Sequence, residues 1–146
     1  MKIPEFLETN EIKLILERTF QEDKEKGYVP ACCFAICDKK EQKIGACDLR
    51  MGHNENTYYG GNIGYEIEES YRGRHYAQKA CKALLQLAKA CKMEYVLITC
   101  NPDNIASRKT SEYAGGVLEG IVELPEGHEL RSGGRTQSCI YRIDLE

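Results

Sequence analysis

The chain has no apolar run long enough to cross a bilayer. Its longest, residues 29–37, already contains Pro30, and a spanning helix needs about 20 residues. No apolar stretch of the signal-peptide kind follows Met1. The opening MKIPEFLETNE turns acidic at once, so neither export nor a membrane partner is expected. Positive charge is not in surplus either. Twenty Lys and Arg face 23 Asp and Glu, giving a net charge of −3, which argues against a broad basic face for nucleic acid. The eight cysteines include no CxxC pair and no Cys/His spacing of a zinc site. They sit in apolar segments such as ACCFAIC and LITC, as small buried hydrophobes do. Free thiols, no metal and a cytoplasmic location are therefore expected. The P-loop and GxGxxG signatures are both missing, so a mononucleotide or dinucleotide fold has no motif support. Internal repeats, low-complexity tracts and linkers are absent too.

What remains is 146 residues, 42% of them hydrophobic, enough for a single domain over 1–146 with its own core. Ile12, Ile15, Leu16, Thr19 and Phe20 share one helical face and Gly27 follows as a stop, so 10–26 predicts a helix. Residues 30–38 and 43–51 predict a hairpin around a polar turn. After a polar loop at 52–56, YYGGNIGYEI predicts a strand over 58–67. Glycines within such a strand mark a bulge or a close approach. Ala77, Ala80, Cys81, Leu84, Leu85, Ala88 and Cys91 recur at helical spacing, which makes 77–92 the clearest helix. A buried strand at 95–100 and a helix over 105–114 come next, the helix stopped by Gly115 and Gly116. Two strands at 117–124 and 138–145 complete an α/β (α+β) fold with a mixed sheet.

Chemistry concentrates at one strand-to-helix junction, EIEESYRGRHYAQKA. Arg72, Arg74 and His75 stand where the helix starts. That end carries partial positive charge and unpartnered N–H groups. Cations there are unfavourable unless an anion sits among them, and a phosphate group meets both conditions. From Ala77 to Lys92 the helix contains no acid.

This junction, IGYEIEESYRGRHYAQKACKALLQLA, resembles the acyl-CoA-binding segment of the GNAT acetyltransferase superfamily. The family pattern, Gln/Arg-x-x-Gly-x-Gly/Ala, lies between a strand and a helix. Arg72 and Ala77 fall on its outer positions, and His75 stands where Gly is usual. NPDNIASRKTSEYAGG is similar to the family's Asn-x-x-Ala/Ser helix, with Asn104, Ser107 and Gly115 at matching positions. Ser107 leans toward the branch resembling the ribosomal-protein N-terminal acetyltransferases. The resemblance spans roughly residues 28–145 and implies a GNAT-like mixed sheet, splayed at its centre and flanked by helices.

It further implies that the backbone of Tyr65 and Ile67 pairs with the pantetheine arm of acetyl-CoA. The backbone of Arg72, Gly73, Arg74, His75, Tyr76 and Ala77 would hold the pyrophosphate, with His75 either crowding it or donating to it. Asn104 and Ser107 would lie beside the pantetheine, although Asn104 is equally a helix cap. A backbone N–H near Ile67 would polarise the thioester carbonyl. Ser111 occupies the position of the family's acidic Tyr, and Thr99 that of an acid used by some members. The candidate proton-handling residues are Ser111, through its hydroxyl or a held water, and Glu66. Little chain precedes the first predicted helix, so the family's first strand is expected to be missing or very short. His53, Tyr58 and Tyr59, and the polar stretch with His128 and 131–135, either border the acceptor or face solvent.

The implied activity is direct transfer of an acetyl group from acetyl-CoA to an amine in a ternary complex. The amine belongs to a small molecule or a protein N-terminus, and a homodimer is compatible with the pattern. The alternative is a GNAT-fold module that binds CoA or another phosphorylated ligand without turnover.

Overall fold

The structure, a computed structural model, describes residues 2–145. The N-terminal half forms β1 (Phe6–Glu8), β2 (Lys13–Phe20), β3 (Ala31–Cys37), β4 (Lys43–Arg50), the short helix α1 (Glu55–Gly60) and β5 (Ile63–Ile67). The remainder is α2 (Tyr76–Ala90), β6 (Tyr95–Cys100), α3 (Ile105–Tyr113), β7 (Val117–Glu123) and β8 (Gln137–Asp144). β1 to β5 make an antiparallel sheet in chain order; β6, β8 and β7 make a second antiparallel sheet in that order. The apolar stripe of α2, centred on Ala80, Cys81, Leu84 and Leu87, packs against Phe34, Ile36 and Leu49 of the first sheet. The same core takes in Val96 and Ile98 of β6, so one apolar core joins both sheets. No helix among the described residues is long and apolar enough to cross a membrane.

Two expectations give way. Residues 10–26 contain no helix: β2 runs through them between β1 and β3. The apolar residues here fit both periods, and the inward set is Ile12, Leu14 and Leu16, spaced by two. Ile15 and Phe20, which a helix would bury, are 36% and 48% exposed. The outer edge of β3 offers a ladder that outweighs local helical spacing. The first strand, expected to be missing or very short, is the three-residue β1. Likewise Tyr58–Gly60 is not extended. Asn54 accepts from the Thr57 N–H (3.0 Å), and Thr57 Oγ1 accepts from the Asn54 N–H (2.9 Å). This reciprocal cap starts α1.

The two sheets meet at Asn62, which is fully buried. Its backbone N–H donates to Leu97 O (2.6 Å) on β6, and its Oδ1 accepts from the Leu97 N–H (2.8 Å). With its backbone donor turned to β6, its side-chain Nδ2 takes over on β4, donating to Arg50 O (2.9 Å) and to Gly52 O (2.8 Å). Gly61 beside it has φ +82°, and a Cβ there would lie 3.1 Å from both Leu97 O and the Thr99 N. Only glycine fits that conformation at that approach without strain. Beyond this junction no ladder joins β5 to β6.

Candidate active site

β5 pairs with β4 on one side only. At one end of the ladder the Arg50 N–H donates to Asn62 O (2.7 Å), and at the other the Glu68 N–H donates to Ile44 O (2.9 Å). Antiparallel pairing uses the backbone groups of alternate residues. Gly64 and Glu66 therefore face β4, and Tyr65 and Ile67 turn their backbone groups toward the gap before β6. Arg72 Nε donates to Ile67 O (2.9 Å), which leaves the Tyr65 N–H and C=O and the Ile67 N–H for a ligand.

A cavity of about 500 Å³ opens along this edge, between β5, the start of α2 and one face of α3. Nine of the ten residues predicted to bind the cosubstrate line it, and so does Glu66. The exception is Arg74, whose guanidinium lies 5.7 Å from the Tyr71 ring instead. At the start of α2, His75 occupies the cap position with φ +64°, with no side-chain cap bond and no acid in the first turn. The N–H groups of Tyr76, Ala77 and Gln78 have no carbonyl one turn back, as at any helix start. The left-handed backbone that glycine usually supplies is thus adopted by a histidine, which is exposed at the cavity.

The charge on α2 is balanced less locally than the sequence suggests. Lys79 is paired with Glu11 from the β1–β2 connection, and that hydrogen bond holds the Glu11 carboxyl below its usual range. Tyr71 and Tyr76 pack at 61° to each other with centroids 6.4 Å apart, at the mouth of the cavity.

On α3, Asn104 serves as the cap, its Oδ1 accepting from the Ser107 N–H (3.1 Å). It lines the cavity as well, so capping α3 leaves it within reach of a ligand there. Thr110, one turn after Ser107, also lines the cavity; the sequence reading passed over it, although its i, i+3 spacing places it on the same face. Tyr65 projects between strand and helix. Its Oη is sealed from solvent without a well-formed hydrogen bond. Burial pushes this phenol up, and the nearby Ser107 and Thr110 hydroxyls oppose the shift.

Ser111 is not brought to the cavity. It is fully buried, its Oγ has no partner, and its carbonyl accepts from the Gly116 N–H (2.9 Å). The helix is fixed in this orientation by Tyr141 of β8, which accepts from Arg108 Nε and donates to Glu112 Oε2, each at 3.1 Å. Tyr113 is exposed, with Lys82 Nζ 4.5 Å from its ring. His53 stacks on Tyr95 at 4.0 Å, and burial holds its imidazole below the usual range; it lines neither this cavity nor the larger one described below. Tyr59 meets His128 edge-on at 5.5 Å, joining α1 to the β7–β8 connection.

Both the sequence and the fold are similar to those of known proteins. Residues 1–117 match the family model described as an acetyltransferase (GNAT) domain. The chain belongs to the GNAT acetyltransferase family. This GNAT protein is 27% identical over 132 residues to the uncharacterized N-acetyltransferase YnaD of Bacillus subtilis, covering 84% of this chain and 76% of YnaD. Its fold superposes on RimL, a ribosomal-protein α-N-acetyltransferase solved with coenzyme A, with a TM-score of 0.71 and 16% identity over 97% of this chain and 98% of RimL. It superposes also on the microcin self-immunity acetyltransferase MccE, solved with acetyl-CoA and AMP, with a TM-score of 0.64 and 22% identity over 79% of this chain. The chain spans only 61% of the MccE chain.

Proposed function

We propose that this protein transfers an acetyl group from acetyl-CoA to a primary amine by direct attack in a ternary complex. The observation that carries this reading is the set of unused backbone groups at Tyr65 and Ile67, set beside the uncapped start of α2. An extended pantetheine carries amide groups that can add to such an edge as a further strand does. The N–H groups of 76–78, with the backbone of Arg72, Gly73, Arg74 and His75, would then receive the pyrophosphate. Asn104 and Ser107 would flank the pantetheine from α3.

In the transfer step the amine nitrogen bonds to the thioester carbonyl carbon and the carbon–sulfur bond breaks. A β5 N–H steadies the oxyanion, and holding both reactants in line supplies much of the acceleration. Glu66, exposed at the cavity rim, is the carboxylate through which the ammonium proton reaches water. The second nitrogen proton goes to the departing thiolate.

The buried position of Ser111 favours the second reading, a module that binds CoA without turnover, because the helix then offers no acid at the family's usual place. One experiment separates the two. Thermal melts with acetyl-CoA should show stabilisation, by about 2.7 kcal/mol at a hundredfold excess over Kd. Thiol release from acetyl-CoA is then followed against spermidine, phenethylamine and an N-terminal seryl peptide. Binding without amine-dependent release selects the module; no binding removes both readings.

A further inference from the structure

A second cavity, about 720 Å³, lies on the sheet face opposite α2, between the end of β2, β3, β4, α1 and the β7–β8 connection. On that face Cys33, Asp48 and Gly64 sit side by side across β3, β4 and β5. Asp48 is half-buried, and its two oxygens are used unequally. Oδ2 is ion-paired with Arg50, whose Nε lies 3.0 Å away, and Arg50 is itself anchored by Nη1, which donates to Gly60 O (3.0 Å) and Gly61 O (2.9 Å). Oδ1 accepts no hydrogen bond from any described residue. It points at β5, where a Cβ on Gly64 would lie only 2.6 Å away, with Arg50 Nη2 3.1 Å from the same point. The carboxylate therefore rests over the bare backbone of Gly64, one residue before Tyr65, at the strand that faces the cosubstrate gap.

The rest of the cavity suits a cation with an apolar body. Phe20 and Tyr28, both large and exposed, line it, and aromatic faces attract ammonium groups. Its other charged lining groups are Asp23, Lys26 and Glu129. With Arg50 committed to Asp48, the free charge of the lining leans negative.

We infer that this cavity is the acceptor pocket and that Asp48 Oδ1 binds the acceptor's ammonium group. The acceptor is a primary amine carried on an apolar or aromatic segment, with no carboxylate beside the nitrogen. A free α-amino acid is disfavoured, because its carboxylate would lie against Asp48. This inference rests on the acetyltransfer reading. Asp48 binds and orients the amine, and the bond-making step is the one given above.

The test compares phenethylamine with phenylalanine, which share a body and differ by one carboxylate. Wild-type protein is expected to favour phenethylamine at least tenfold in kcat/KM. Asp48→Asn, which keeps shape and fills no space, should raise the phenethylamine KM at least tenfold, leave kcat within about threefold and leave acetyl-CoA affinity unchanged. Phe20→Ala, at an exposed wall, should raise the same KM without altering the melting temperature, so the inference stays testable if Asp48→Asn misfolds. An unchanged KM in a folded Asp48→Asn, or equal use of both probes, overturns it. Acetyl-CoA binding with no turnover of any amine overturns the acetyltransfer reading and this inference together; turnover of spermidine or a peptide but not of phenethylamine overturns the inference alone.

Discussion

At His75 a residue with a Cβ holds a backbone conformation that costs about 1–2 kcal/mol for anything but glycine. Glycine would remove that strain but lose some of the gain to the freedom of the unfolded chain. His75→Gly should therefore stabilise the protein by about 0.5 kcal/mol net, read as a small rise in melting temperature. A fall would mean that the imidazole makes contacts worth more than the strain. Ser111 gives the opposite kind of test. Its buried hydroxyl satisfies no partner, and such a group costs about 1–3 kcal/mol. Ser111→Ala should raise stability by about 1 kcal/mol and leave acetyl transfer at the wild-type rate. A strong loss of turnover would restore it to the chemistry. The sequence placed Ser111 by counting from Asn104. Counting fixes the angle around a helix but not how the helix is rolled, and the roll here is set by Tyr141, 30 residues away by number from Ser111.

Among the elements, α2 and its approach were legible because they carry their signals locally: a one-sided apolar period, an Arg-rich start and a strand that ends just before it. Nine of the positions that line the cavity along β5 follow from that segment and the cap of α3. β2 was not legible, since the partner that makes it a strand, β3, is decided by tertiary pairing. α1 had a readable cue in Asn54 and Thr57, but the glycines after it looked like interruptions of a strand instead of a helix stop. The junction of β4, β5 and β6 escaped entirely, because Asn62 joins carbonyls and an N–H that are distant in the chain. Asn62→Leu keeps the volume and leaves Arg50 O, Gly52 O and the Leu97 N–H short of partners. At about 1–3 kcal/mol for each buried group left unsatisfied, it should cost at least about 3 kcal/mol in denaturant unfolding. A loss below about 1 kcal/mol would show that water or a shifted strand replaces the amide.

For the molecule as a whole, the thiols report how tightly the core is closed. Six cysteines are buried, and Cys33 and Cys91 are half-buried. Burial pushes Cys32 and Cys81 up to about 12 and Cys100 up to about 11. A thiol reagent at pH 8 should modify two groups quickly in native protein and all eight in denaturant. Six or more fast thiols would mean an open core. The same shifts set a pH dependence. An unfolded thiol ionises near 8.5, while these folded thiols hold their protons to about 11 or 12. Above about pH 8.5 the unfolded chain binds fewer protons than the folded one, so stability falls as pH rises toward 11. Melts between pH 7 and 10.5 should show this decline, and a flat profile would contradict it.

The amide of Asn62 also has a consequence in time. It draws on residues 50, 52 and 97, so the junction beside the cleft is not closed until β6 has docked at Asn62. Contacts of such separation pay more loop-closure entropy than local ones before they gain anything, which favours their forming late. Interactions missing from the transition state slow unfolding and leave the folding rate alone. Coenzyme A should therefore act as a brake on one limb: in stopped-flow measurements it lengthens the unfolding half-life by a factor of one plus the ratio of free coenzyme A concentration to Kd, while refolding traces with and without it superimpose. Faster refolding with coenzyme A would mean that the cleft is in place early.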